Sequence, residues 1–102
     1  MKKIYVSTPV EGKKRSEIYA AQEVLLEQAK AKIFQRFKVG TKWMEPYIDG
    51  TGALLVGECL ALSLVKLALA DFVVWDAGWN NSPWCRIEHL FAETYGIPTL
   101  TL

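Results

Sequence analysis

The sequence predicts an α/β three-layer sandwich around a small parallel sheet of about four strands, and three observations predict it. Segments with the pattern of strands alternate with segments that have the pattern of helices along the whole chain. The strand segments are continuous apolar runs, as in a parallel sheet covered on both faces. The helical segments carry recognisable start and stop residues. With 102 residues the chain is long enough for one domain, 1–102, and no repeat or composition shift divides it.

Residues 3–7 are β-branched and aromatic and stop at Thr8-Pro9, giving the first strand. A loop at 10–14 follows, with Gly12 and the start of the basic cluster Lys13-Lys14-Arg15. From 16 to 36 the apolar positions Ile18, Ala21, Leu25, Ala29 and Ile33 recur every three or four residues, the spacing of an amphipathic helix with Ser16 and Glu17 at its start. A short second strand is expected at 37–41 and a loop rich in turn residues and aromatics at 42–52. Residues 53–69 predict a helix apolar almost all round, hence one buried on more than one side. Residues 72–75 form the third strand, and 76–81 a loop. Ser82 is then an N-cap and Pro83 the first residue of a helix over 83–95, with Trp84, Ile87, Leu90, Phe91 and Tyr95 inward. Gly96 ends that helix, and 97–102 closes the chain as a last strand.

Composition excludes several classes. The chain is 51% hydrophobic with a net charge of +1, the opposite of a disordered sequence. That charge balance gives no electrostatic basis for a nucleic-acid polymer as partner. Cys59 and Cys85 are too few for a disulfide scaffold, and with the single His89 they make no metal-ligand set. The apolar stretch 53–70 is interrupted by Glu58, Ser63 and Lys66, so no membrane span is expected. The N-terminus lacks a signal-peptide core, and a cytoplasmic protein is expected.

In an open α/β sheet, ligands sit beyond the carboxyl ends of the strands, where the strand order reverses. Two loops belong to that edge: the one after the first strand, with Ser7, Thr8 and Gly12, and the one after the third, with Asp76, Gly78, Trp79 and Ser82. Neither dinucleotide nor P-loop glycine patterns occur, and no cofactor is expected. Glu88 lies on the second turn of the helix that opens at this edge; it is a candidate site residue or a complement to the helix dipole. Asp76 fits both a site role and an Asx turn. Trp43 and Trp79, in polar loops, fit either a pocket wall or a core anchor. Cys85 stands near a helix start, where a thiolate is favoured, but His89 is its sole nearby partner and a Cys–His nucleophile is not expected.

Two blocks carry a family resemblance. KIYVSTPVEG at 3–12 is similar to the opening strand and glycine-containing loop of the nucleoside 2-deoxyribosyltransferase superfamily. ADFVVWDAGWNNSPWCRIEHLFAETYGIP at 70–98 resembles its second block, and most of all that of its small phage and bacterial members. Together the blocks cover roughly 40 of the 102 residues. The resemblance implies a flavodoxin-like (Rossmann-like) doubly wound fold and cleavage or transfer of the N-glycosidic bond of a deoxynucleoside or its monophosphate. It implies Glu88 as nucleophile, Asp76 as the acid that assists departure of the base, and Tyr5 beside the nucleophile. Ser82 and the N–H groups next to it are then placed for a 5′-hydroxyl or phosphate. The chain departs from the pattern at Thr8, where many members have glycine, and at Ser63, where an aspartate is usual. These departures fit the alternative, a catalytically inactive nucleotide-binding or regulatory module on the same fold. The resemblance, together with the apolar helix at 53–69, also implies a homo-oligomer.

Overall fold

The computed structural model describes residues 1–48 and 56–102. Three strands, β1 (Lys2–Ser7), β2 (Thr41–Trp43) and β3 (Phe72–Trp75), form one parallel sheet in the order β2-β1-β3. Three helices connect and follow them: α1 (Arg15–Phe37), α2 (Val56–Ala68) and α3 (Pro83–Thr94). Alternation along the central strand divides the core, because successive side chains of a strand point to opposite faces. Ile4 and Val6, with Val74, meet Leu26, Ala29 and Ile33 of α1. Tyr5 and Val73 face the other way, toward Leu67 of α2 and Ala92 of α3. α1 thus covers one face and α2 with α3 the other, the three layers expected of the alternating pattern.

Two strand boundaries differ from expectation. Of the strand expected at 37–41 only Thr41 is strand: α1 runs on through Phe37 and stops at Lys38, whose left-handed backbone (φ 57°) returns its N–H to the Phe34 carbonyl at 2.9 Å. Phe37 is apolar because it fills the core from the end of a helix, with its ring 5.9 Å from that of Phe72. β2 instead uses Thr41, the last residue of the expected strand, with 42 and 43 from the stretch expected to be loop. The last strand contracts to a single parallel bridge between Val73 and Thr99. The Val73 N–H reaches the Pro98 carbonyl at 2.9 Å and the Leu100 N–H reaches Val73 at 2.8 Å, but Pro98 itself has no N–H to extend the ladder. Among the described residues the sheet therefore has three strands rather than about four.

Helix faces also turn relative to expectation. α1 buries Ile18, Gln22, Leu26, Ala29 and Ile33, while Ala21 is exposed and Leu25 half-buried. α3 buries Trp84, Cys85, Glu88 and Ala92. Ile87, Leu90 and Tyr95, expected inward, are 47%, 65% and 70% exposed. In both helices the inward face includes a polar side chain with a distant partner, Gln22 bonded to Thr8 and Glu88 bonded to Tyr5 and Ser7. Of the helix expected at 53–69, α2 provides 56–68; residues 53–55, and 49–52 of the preceding loop, lie outside the described residues. Among the described residues no helix is long and apolar enough to cross a membrane.

Candidate functional site

β1 and β3 end side by side, with Ser7 paired to Trp75 and the Asp76 N–H donating to the Ser7 carbonyl at 2.9 Å. The strand order turns here, since the chain goes from β1 outward to β2 and then returns across β1 to β3. The loops after β1 and β3 share this edge, as the sequence pattern implied. α3 begins at the same edge, started by Ser82 in extended backbone with Pro83 in its first turn.

Glu88, on the second turn of α3, is fully buried and faces β1. The Tyr5 hydroxyl donates to its Oε2, and the Ser7 hydroxyl donates to its Oε1 at 2.8 Å. Burial pushes the Glu88 carboxyl up to about 7; the Tyr5, Ser7 and Trp84 side chains pull against that shift, and the Glu11 charge adds to it. Tyr5 is raised well above its ordinary value, first by burial and then by the charge of Glu88. Three of the sequence candidates, Tyr5, Ser7 and Glu88, thus form one hydrogen-bonded cluster. It has no solvent-exposed surface at Glu88, so a ligand reaches the carboxylate only when neighbouring groups move.

A residue that sequence reasoning passed over sits at the start of α3. The Glu11 carboxylate accepts from the Ser82 hydroxyl at 2.6 and 3.0 Å and from the Trp84 N–H at 3.1 Å. Partial burial opposes ionisation of Glu11, but Ser82 and the Trp84 and Val10 N–H groups together outweigh it and hold its carboxyl below the ordinary range. The available signal was a lone acidic residue beside a glycine, on the loop that must face a helix N-terminus. Ser82 itself caps α3, its hydroxyl accepting from the Cys85 N–H at 3.2 Å. A Ser82→Ala chain is expected to lose about 1–2 kcal/mol of stability, read by urea denaturation, because the cap and the Glu11 donor go together.

The remaining candidates spread around this centre. Thr8 is buried, and its hydroxyl accepts from the Gln22 amide at 3.2 Å. Gly12 takes a left-handed backbone, φ 71°, in the turn closed by Lys13 N–H to the Val10 carbonyl at 3.1 Å, so it places Glu11 rather than admitting a ligand. Asp76 makes the Asx turn, accepting from the Gly78 N–H at 2.8 Å. Trp79 stacks on His89 with ring centroids 3.8 Å apart, and Trp75 lies 4.7 Å from the same imidazole. His89 is therefore packed between aromatics. Cys85 is buried with its thiol pushed up to about 11, chiefly by burial, so a reactive thiolate is disfavoured despite its place near the helix start. Trp43 is not at this edge; it packs edge-on to Tyr19 at 5.7 Å on the α1 side. Ser63, on α2, accepts from the Tyr47 N–H at 2.8 Å and donates to the Tyr47 carbonyl at 3.2 Å, pinning the backbone that follows β2. No group of metal-ligating side chains occurs among the described residues. Compared with protein-family models, curated proteins and solved structures, the chain matches none of them.

Proposed function

We propose that this chain is a flavodoxin-like, deoxyribosyltransferase-like protein that binds a deoxynucleoside or its monophosphate and cleaves or transfers the N-glycosidic bond through Glu88. The observation that supports it most is the buried Glu88 carboxyl, bonded by Tyr5 and Ser7 at the edge where the strand order turns. In this reading ionised Glu88 attacks the anomeric carbon, forming a glycosyl ester as the carbon–nitrogen bond to the base breaks. The departing base takes a proton from an acid, for which Asp76 is the candidate. Water or a second base then displaces Glu88, the two-step logic of retaining glycosidases. Tyr5 and Ser7 hold the carboxylate in one orientation while they hydrogen-bond to it.

The second reading is an inactive nucleotide-binding module, and the complete enclosure of Glu88 favours it. So does the commitment of Ser63 to the Tyr47 backbone. One assay separates the two: incubation with the common deoxynucleosides and their monophosphates, with free base measured. Base release lost in Glu88→Ala supports the enzyme. Saturable binding without release supports the module, and no binding at all removes both.

Assembly belongs to the same reading. Leu62, Val65 and Leu69 in and beyond α2 are 42%, 57% and 53% exposed, and α2 packs beside α3, whose Ile87 and Leu90 are also exposed. A homo-oligomer is expected to bury this face. Sedimentation at micromolar concentration tests it, and a monomer there contradicts it.

A further inference from the structure

We propose that the outward face of α2 is a two-fold interface on which a second copy of this chain packs antiparallel, with Glu58 of one copy against the partner's Lys66. This rests on the homo-oligomer expected above and supplies its axis and direction.

α2 carries two stripes. Cys59, Ser63 and Leu67 form the buried one. Glu58, Leu62 and Val65, with Leu69 in the turn that closes the helix, recur at intervals of four, three and four, and all are exposed. That spacing lines up along one side of a helix and is the seam spacing of paired helices. Ala61 and Ala68 lie exposed beside it. A helix that covers a core with one face ordinarily turns a charged and polar face to water. Here the outward positions are leucine, valine and alanine, and Glu58 and Lys66 are the two charged residues of the helix.

The order of those charges selects both the partner and its direction. Glu58 is in the first turn and Lys66 in the last, and neither makes an ion pair among the described residues. Leu62 stands four residues from each. A parallel copy would set glutamate on glutamate and lysine on lysine. An antiparallel copy, related by a two-fold axis beside Leu62, sets Glu58 against the partner's Lys66, and symmetry repeats the contact with the roles exchanged. Leucines then meet at the axis, and opposite ends of the two helix dipoles lie together. In the single chain the same two side chains complement the dipole of α2, so their order suits both states. A net charge of +1 sets little repulsion between copies. A face complementary to itself in this way points to a second copy rather than to a different protein.

The test is sedimentation velocity of the full chain at micromolar concentration, in the native sequence, in Glu58→Lys, in Lys66→Glu and in an equal mixture of the two variants. The native chain is expected to be a dimer. Each variant alone sets like charges together at both contacts and is expected to associate about tenfold or more weakly. In the mixture one chain carries cations at both positions and the other anions, so a heterodimer regains opposite charges at both contacts. Dimer is expected to return there to the native level, which also shows that both variants are folded. Variants that dimerise as the native chain does, or a mixture that associates no better than its components, overturn this interface and leave the homo-oligomer of the native chain standing. A native monomer overturns both.

Discussion

If Glu88 is the nucleophile we propose, replacing it with alanine is expected to lower the rate of base release by about 10⁴-fold or more while ligand binding persists, because loss of a covalent nucleophile removes the reaction path itself. Alanine also leaves the Tyr5 and Ser7 hydroxyls without their acceptor and opens a space beneath α3. That combination costs about 1–3 kcal/mol of stability, so far-UV circular dichroism must accompany the assay. Glu88→Gln separates chemistry from folding: its amide oxygen still accepts from one hydroxyl, and the other hydroxyl can rotate to accept from the amide N–H. Both variants are expected to be equally silent. A glutamine variant that releases base at the native rate would remove Glu88 from the nucleophile's role, whatever the alanine variant did. Such a result would leave the edge of the sheet as a binding site and turn attention to Asp76.

What the sequence made legible was local. Ser82-Pro83 starts a helix from two adjacent residues, and the strands at β1 and β3 are readable because both faces of each are covered. What escaped depended on partners far along the chain. Glu88 turns inward because Tyr5 and Ser7 bond to it from 83 and 81 positions away, so the periodicity of α3, read alone, put Ile87 and Leu90 inside instead. Glu11 likewise finds Ser82 and Trp84 at separations of 71 and 73. Gln22 is buried on α1 between Ile18 and Leu26 and donates to Thr8, a polar member of the inward stripe that a search for apolar positions passes over. Phe37 misled for a related reason, since an apolar residue at a helix end packs on Phe72 just as a strand residue would. Topology, by contrast, placed the right loops together before any contact was known, and the Tyr5–Ser7–Glu88 cluster lies where it pointed.

Stability is expected to fall as the pH rises through neutrality, and Glu88 is the reason. Its carboxyl moves from an ordinary 4.5 to about 7 in the folded chain, with burial the principal cause. Below 4.5 the group is protonated whether the chain is folded or not, and it adds no slope there. Between the two values the folded chain holds a proton that the unfolded chain has released. Each pH step upward therefore favours unfolding by about 1.4 kcal/mol. Above about 7 both states are ionised and the accumulated cost, about 3 kcal/mol, remains in full. Other shifted groups fall outside this window: Glu11 lies below its ordinary value and acts at lower pH, while Cys85, at about 11, and Tyr5 act only in alkali. Urea denaturation at pH 5 and pH 8 should thus show the native chain losing about 2–3 kcal/mol, and Glu88→Gln losing none of that amount. Equal losses in the two chains would mean that Glu88 ionises as freely when folded as when unfolded. In the proposed reaction, the ionised carboxylate that destabilises the fold is also the form that would attack an anomeric carbon. On that proposal base release is expected to rise over the interval in which stability falls, the charged carboxylate being held at the expense of the structure around it.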